Sequence, residues 1–234
     1  MKNFVFACLL TLVSLPLAAQ DQAGRAVLVV GQAAVTDANG SQRILRRGGA
    51  VYSGETITTQ RHSYVNVEYT DEGRTLIGPD SQLKIEDYTY RPPAGGPRSR
   101  GGAGVAQADS GRSVFSLLKG GFRAVTGLIG KNRRENYAVR TSVATIGIRG
   151  TDAVYVDCSD GRCGDLGPGS SEDMSSVVIG VYEGGITATN LNNGQTLDID
   201  PGQFVQTNGT SFYTLAGMPG VLVTMPMQDP QTCE

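Results

Sequence analysis

Apolar residues recur at every second position in short runs along this chain, and glycine, asparagine, aspartate or proline interrupts each run. Such alternation marks strands with one buried face. Ala26, Leu28 and Val30 open a strand over Arg25 to Thr36, interrupted at Gly31. Asn39-Gly40 supplies the positive φ angles a tight hairpin needs, so Ser41 to Leu45 is expected to return antiparallel. Arg46-Arg47-Gly48-Gly49 turns the chain again, toward Val51 to Ile57. Val65, Val67 and Tyr69 then alternate with Tyr64, Asn66 and Glu68, and Asp71 to Arg74 turns into Thr75-Leu76-Ile77. Gly78 to Ser81 ends that piece, and the next strand sets Leu83, Ile85 and Asp87 against Lys84 and Glu86.

Pattern returns at Val114 to Leu118, turns at Gly120-Gly121 and comes back through Phe122 to Val125. A short helical turn is expected near Ala124 to Ile129, then a polar loop from Gly130 to Glu135. Tyr137 to Arg140 leads into Thr141 to Thr151, and Ala153 to Val156 continues as a strand. After a polar loop from Cys158 to Ser176 come Val177 to Tyr182, Ile186 to Thr189, a hairpin at Asn192-Asn193-Gly194, and Leu197 to Val205. Gly48-Gly49, Gly120-Gly121 and Gly184-Gly185 recur as glycine turns, and their irregular spacing suggests repeated hairpins rather than a solenoid. Helical periodicity is nearly missing, whereas 32 glycines, no tryptophan and many Thr/Val alternations point to an all-β chain of many short strands.

The first residues read as a cleavable signal peptide spanning 1–19: Lys2, an apolar run from Phe4 to Leu17, and a small-residue exit at Ala18-Ala19. The run is shorter than the roughly 20 residues of a spanning helix, so no transmembrane segment is expected after cleavage. Too few apolar residues precede Cys8 for a lipoprotein signal. About 215 residues would remain, enough for one large β domain or two small ones. Residues 20–90 form its first part and 113–215 its second, with a tail at 216–234. Between the two parts, 91–112 is rich in Gly, Pro and Arg with scarcely a bulky apolar residue, and is expected to be a disordered basic insertion. Contact between that insertion and anionic cell-wall polymer is a second use for it.

Charge is arranged in blocks. Residues 91–134 hold nine Lys or Arg against one acid, and 135–234 hold three against twelve. Opposite blocks can attract each other, although two solvated surfaces account for the pattern as well. An exported chain without an aromatic-laced basic motif is not expected to bind nucleic acid.

Several short motifs together resemble the FecR domain family, from about Gly31 to Thr207. They are Gly54-Glu55-Thr56-Ile57-Thr58-Thr59, Asp71-Glu72-Gly73-Arg74-Thr75-Leu76, Pro79-Asp80-Ser81-Gln82-Leu83, Lys119 to Gly127, and Gly147-Ile148-Arg149-Gly150-Thr151. The resemblance implies a jelly-roll-like β-sandwich in the bacterial periplasm. Members that regulate iron uptake join this domain to a cytoplasmic anti-sigma segment through a membrane helix. Neither is legible here, so a free-standing periplasmic relative is expected.

Within the signature, Gly147 and Gly150 are expected to mark a bulge or a close backbone approach. Ile148 points inward, Arg149 points outward to pair with a nearby acid and pin the bend, and Thr151 follows; a ligand-anchoring Arg149 is the rival. Cys158 and Cys163 enclose a five-residue step in a compartment where disulfides persist, and are expected to bond to each other, leaving Cys233 over. Zinc lacks a nearby histidine and a Cys-x-x-Cys pair. Asp157, Asp160 and Asp165 miss the spacing of a calcium loop. No cofactor or metal is expected. His62, the single histidine, lies on a loop without a nucleophile elbow, so a hydrolase centred on it is a distant alternative. The expectation is a non-enzymatic periplasmic binding or scaffold module for an envelope protein or a surface polysaccharide, with accessory sensing in a sigma/anti-sigma system as the alternative.

Overall fold

A computed structural model describes residues 21–91, 111–164, 166–167, 170–171 and 175–223. The expected signal peptide, Cys8, most of the basic insertion, Asp165 and Cys233 lie outside these residues. The fold is all β: two nine-stranded sheets packed face to face in the sandwich the sequence predicted.

The chain builds both sheets at once. Strand β1 (Gln22–Val30) lies in the front sheet, β2 (Ala33–Thr36) and β3 (Gln42–Ile44) in the back sheet. β4 (Ala50–Tyr52) is front, β5 (Thr56–Thr59) back, and β6 (Tyr64–Tyr69) with β7 (Arg74–Ile77) front again. β8 (Gln82–Thr89) and β9 (Arg112–Lys119) are back, and β10 (Gly121–Val125) is front. Helix α1 (Leu128–Asn132) and a 3-10 turn (Arg134–Asn136) lead to β11 (Tyr137–Arg140) and β12 (Ala144–Ile148) in the back sheet. β13 (Asp152–Asp157) and β14 (Val177–Glu183) are front, β15 (Ile186–Asn190) and β16 (Thr196–Ile199) back, β17 (Phe204–Thr207) and β18 (Phe212–Thr214) front. Helix α2 (Gly220–Val223) follows.

In the front sheet the order is β18-β17-β14-β13-β10-β7-β6-β1-β4, and in the back sheet β16-β15-β12-β11-β9-β8-β5-β2-β3. The chain therefore advances from one end of the sandwich to the other, alternating between sheets. At about 4.8 Å per strand, nine strands span roughly 40 Å. All pairs are antiparallel except β9–β11, which the detour through β10 and α1 makes parallel.

This topology corrects the hairpin reading of the three double-glycine turns. Gly48 lies between β3 and β4, Gly120 between β9 and β10, and Gly184 between β14 and β15, and each of these strand pairs is split between the two sheets. A hairpin keeps its two strands in one sheet; these glycines instead let the chain change sheet, with φ of 82°, 84° and 74°. His62 (φ 57°) and Asp80 (φ 48°) make the same kind of crossing without glycine. At Asn39-Gly40 the hairpin forms as expected, but only Gly40 adopts positive φ, because Asp37 Oδ1 accepts from the amides of Asn39 and Ser41 and shapes a longer turn.

Two further expectations shift. Asp87 does not follow Leu83 and Ile85 inward, because the β8–β9 register slips between Ile85 and Asp87 and Tyr88 takes the inner position. The bulge leaves Glu86 and Asp87 to pair with Arg140 (2.7 Å) and Arg112 (2.9 Å), so Arg112, the end of the expected insertion, is already in β9. The helical turn begins at Leu128 rather than near Ala124 and takes up part of the expected polar loop, because β10 stays paired with β7 and β13 through Val125.

Inward side chains of both sheets form one core, including Val35, Ile57, Val67, Leu83, Phe115, Ile146, Ile179 and Ile186. Its aromatic centre stacks Tyr69 on Tyr88 (5.4 Å between centroids) and tilts Phe115 against Tyr69 and Tyr137. A second cluster covers the outer face of the front sheet: Leu76, Val154, Val156, Val178 and Phe204, overlaid by Leu215 and by Leu222 of α2. Gly180 makes room for that helix, since a Cβ there would lie 2.8 Å from Leu222.

Burial raises the hydroxyls of Tyr69, Tyr88, Tyr137 and Tyr155 above their ordinary 10.0, with Asp71 adding to the rise at Tyr88. Each is an acid whose folded value exceeds its unfolded one. Their neutral state supports the fold fully below 10.0, and that support is lost as pH rises above it. Tyrosinate absorbance from these rings is expected to develop in the same alkaline transition as the loss of β-sheet circular dichroism. Ionisation of all nine tyrosines before any loss of ellipticity would contradict the buried aromatic centre.

Candidate functional site

The Gly147 to Thr151 signature forms the end of β12 and the crossing to β13. Ile148 is buried in the core, and Arg149 lies half-exposed. Gly150, at φ 70°, makes the corner. Directly against it sits the next crossing, Gly184-Gly185: a Cβ on Gly184 would overlap the Gly150 carbonyl oxygen. The Arg149 amide donates to the Gly185 carbonyl at 2.7 Å, and its guanidinium lies over Gly185, where a Cβ would stand 2.8 Å away. Arg149 then reaches Asp200 at 3.2 Å and Asp198 at 4.0 Å, and Thr187 donates to Asp198 at 2.6 Å. Exposed ion pairs of this kind contribute about 0–1 kcal/mol. Gly147 sits in an unbroken register with Ala138 and Thr187, and its missing Cβ would meet nothing closer than 4.0 Å. The bulge or close approach expected at Gly147 does not form; Gly150 and Gly184 are where the backbones meet.

Other motifs interlock in the same way. Gly120 leaves space for Ser81, whose Oγ donates to Pro79 and Gly121 carbonyls and accepts from the Gly121 amide at 2.9 Å. Thr126 and Thr151 exchange hydrogen bonds across the next crossing, with the Thr126 amide donating to the Thr151 carbonyl at 2.9 Å and the Thr151 amide to Thr126 Oγ1 at 3.1 Å. Buried Asp71 accepts from Tyr88 (2.9 Å), the Gly73 amide (3.1 Å) and the Ile129 amide (3.2 Å), fixing α1 against the β6–β7 turn. Arg123 holds Asp152 through two nitrogens at 2.7 and 2.6 Å and stacks on Tyr182 at 4.3 Å. The Asp152 carboxylate raises the Arg123 guanidinium further above its ordinary range.

Cys158 and Cys163 are disulfide-bonded, with Cα atoms 5.2 Å apart. The closed loop aims Arg162 at the β7–β8 crossing, where it donates to the Pro79 and Asp80 carbonyls at 3.2 Å each. Asp160 clasps the same guanidinium, which holds its carboxyl below the usual range. Buried Asp157 accepts from the Ser159 amide at 2.9 Å and from its hydroxyl. These two acids are satisfied by their own turn, and among the described residues no cluster of His, Cys, Asp and Glu suited to a metal occurs. His62 is exposed on its crossing; Ser63 beside it is buried and accepts from the Gln32 amide at 2.9 Å, bracing the Gly31 crossing.

One concavity stands apart from these braces. It is an open groove of about 560 Å³ at the end of the sandwich where β2 and β3 lie, lined by Val29, Ala34, Ile44, Arg46, Arg47 and Gln60. Ile44 is 71% exposed and the neighbouring Val30 45%. Among the described residues no acid pairs with Arg46, Arg47 or Arg61. Arg46-Arg47 was expected as a turn; the arginine doublet that follows Ile44-Leu45 was the available signal.

Gly184→Ala, which needs both a positive φ and space taken by Gly150, is expected to cost about 2–4 kcal/mol in denaturant unfolding. Gly147→Ala is expected to leave stability unchanged or to raise it by up to about 1 kcal/mol. Equal losses at both positions would refute the assignment of the interlock to Gly150 and Gly184. Replacing Cys158 and Cys163 together by serine should cost about 2 kcal/mol through the short closed loop. Amide exchange should then quicken around Pro79 and Asp80, and unchanged exchange there would dismiss the Arg162 clamp.

Among the described residues no helix is long and apolar enough to cross a membrane. No curated protein matches the chain. Two solved structures of a Parabacteroides distasonis protein, described as a "putative anti-sigma factor", resemble it with a TM-score of 0.44 and 11% identity, over 70% of this chain and 60% of that one. The chain thus spans less than two thirds of that protein's length. A structure described as a cell surface anchoring domain aligns over 27% of this chain and 84% of its own, with 28% identity and a TM-score of 0.27. Residues 55–187, from β5 into β15, match the family described as FecR protein. With more than half its length in that match, the chain belongs to the FecR family.

Proposed function

We propose that this FecR-family chain is an exported, contact-making module of the bacterial periplasm, acting by binding an envelope protein rather than by turnover. The carrying observation is how its polar groups are used. The family motifs are largely spent on bracing the frame, while Arg46 and Arg47, without carboxylate partners among the described residues, line an open groove. A surface with accessible charge and exposed apolar side chains at one end of a rigid body suits recognition. Export is supported by the signal-like first nineteen residues and by the Cys158–Cys163 disulfide, a bond that persists in oxidising compartments.

Family membership also favours a second reading, accessory sensing in a sigma/anti-sigma system. The two differ in the partner. Photo-crosslinking residues placed at Ile44 and Arg47, at the groove end, and at Asn193, at the far end, would be introduced in the cells that produce the protein. Crosslinks to an envelope protein from the groove end, with the protein in the periplasmic fraction, are the expected result. A membrane-spanning regulator as that partner would select the sensing reading. Retention in the cytosol, or no crosslink from either end, would sink the contact-module proposal.

A further inference from the structure

Resting on that contact-module reading, we infer that the groove and the free edge of β3 accept an extended acidic segment of a partner protein, which adds to the back sheet as a further strand. Among the described residues β3 pairs only with β2. In that ladder the Asp37 amide donates to the Ser41 carbonyl at 3.0 Å and the Leu45 amide to the Ala33 carbonyl at 2.9 Å. Hydrogen-bonded positions alternate along an antiparallel pair, so Arg43 also faces β2, while Gln42 and Ile44 turn their N–H and C=O groups outward. An outward row of this kind is a template for strand addition.

Side-chain chemistry selects what the added strand carries. The Arg43 side chain is already engaged, donating to the Ala50 carbonyl at 2.7 Å and to Glu55 at 2.8 Å, and so closes the gap between the sheets. Arg46 and Arg47 line the groove, exposed and without carboxylate partners among the described residues, and exposed Arg61 follows the lining residue Gln60 in sequence. The groove itself is floored by Val29, Ala34 and Ile44. A strand alternates its side chains between two faces. One alternating apolar and acidic would seat the apolar set against Ile44 and Ala34 and bring carboxylates to the arginines. Basic flanks can also deter edge-to-edge association, but here the edge residue itself, Ile44, is bare and apolar. Most of the groove lies outside the 55–187 match, in the strands that precede it.

The test is fluorescence anisotropy of the purified protein with a labelled eight-residue peptide alternating valine and glutamate. Binding that weakens with salt is expected, together with at least a tenfold loss in Arg46→Glu/Arg47→Glu. The same peptide with alternate amides N-methylated should not bind, and it probes strand addition without altering the protein. Equal binding by the valine–lysine peptide, indifference to the arginine changes, or unimpaired binding of the N-methylated peptide would overturn the inference. So would an oligoglucuronate that binds through these arginines where the peptide does not, or self-association of the protein that the double variant abolishes. Groove-end crosslinks to an envelope protein in cells, without peptide binding, would remove strand addition alone. Their absence as well would remove the contact module.

Discussion

The fit of one sheet crossing against another is the constraint on which this molecule depends. Each sheet is assembled from strands that arrive alternately from the other, so the chain must reverse layer again and again within a few residues. Those reversals cannot be spaced freely, because neighbouring crossings lie one strand apart at the rim of the sandwich. The meeting of Gly150 with Gly184 is the tightest case, where one backbone occupies the position a side chain would need on the other. Ser81 against Gly120 and Ser63 against Gly31 repeat the arrangement with a hydroxyl in the gap. Buried backbone polar groups must find partners, and at these rims they find them in the next crossing.

Most polar residues of the family motifs are engaged in the frame itself. Asp71, Ser81, Thr126, Thr151 and Asp157 are polar residues of a kind that populate active sites, yet each is buried and engaged: Ser81 and Thr126 with the backbone of an adjacent crossing, Thr151 with Thr126, and Asp71 and Asp157 with the amides of their own turns. The signature arginine is likewise occupied by Gly185 beneath it and Asp200 beside it. A frame braced in this way is rigid, and rigidity is useful to a binding surface because little ordering entropy remains to be lost on association. Arg25, Arg43, Arg112, Arg123, Arg140, Arg149 and Arg162 hold carboxylates, whereas Arg46 and Arg47 have none among the described residues and differ from the other unpaired cations in lining the groove.

Much of this fold was legible from residue order alone. Alternation from Ala144 to Ile148 reports which face is buried, because the period of a strand is local and needs no knowledge of the partner; in Val65-Asn66-Val67 it does not, since Asn66 is buried too. The Cys158–Cys163 bridge was legible for the same reason: five residues of separation leave two thiols little freedom to miss each other in an oxidising compartment. The assignment of turns was not. A double glycine states that the backbone bends, and a hairpin and a change of sheet ask for the same positive φ; Gly120 and Gly184 could be told apart only by where β10 and β15 went next. The bulge at Asp87 escaped notice because it arises from the register with β9, more than twenty residues away.

By itself, then, the sequence determined the all-β class, most of the inward faces, the disulfide and the kinship to the FecR family, all properties set by neighbours a few residues apart. Only the tertiary structure decided that the glycine turns carry the chain between sheets, that the positive φ falls at Gly150 and the steric limit at Gly184 rather than at Gly147, and that Arg46 and Arg47 border an open groove. Those outcomes depend on contacts between residues distant along the chain, and local propensity is blind to which distant segment will fill the space.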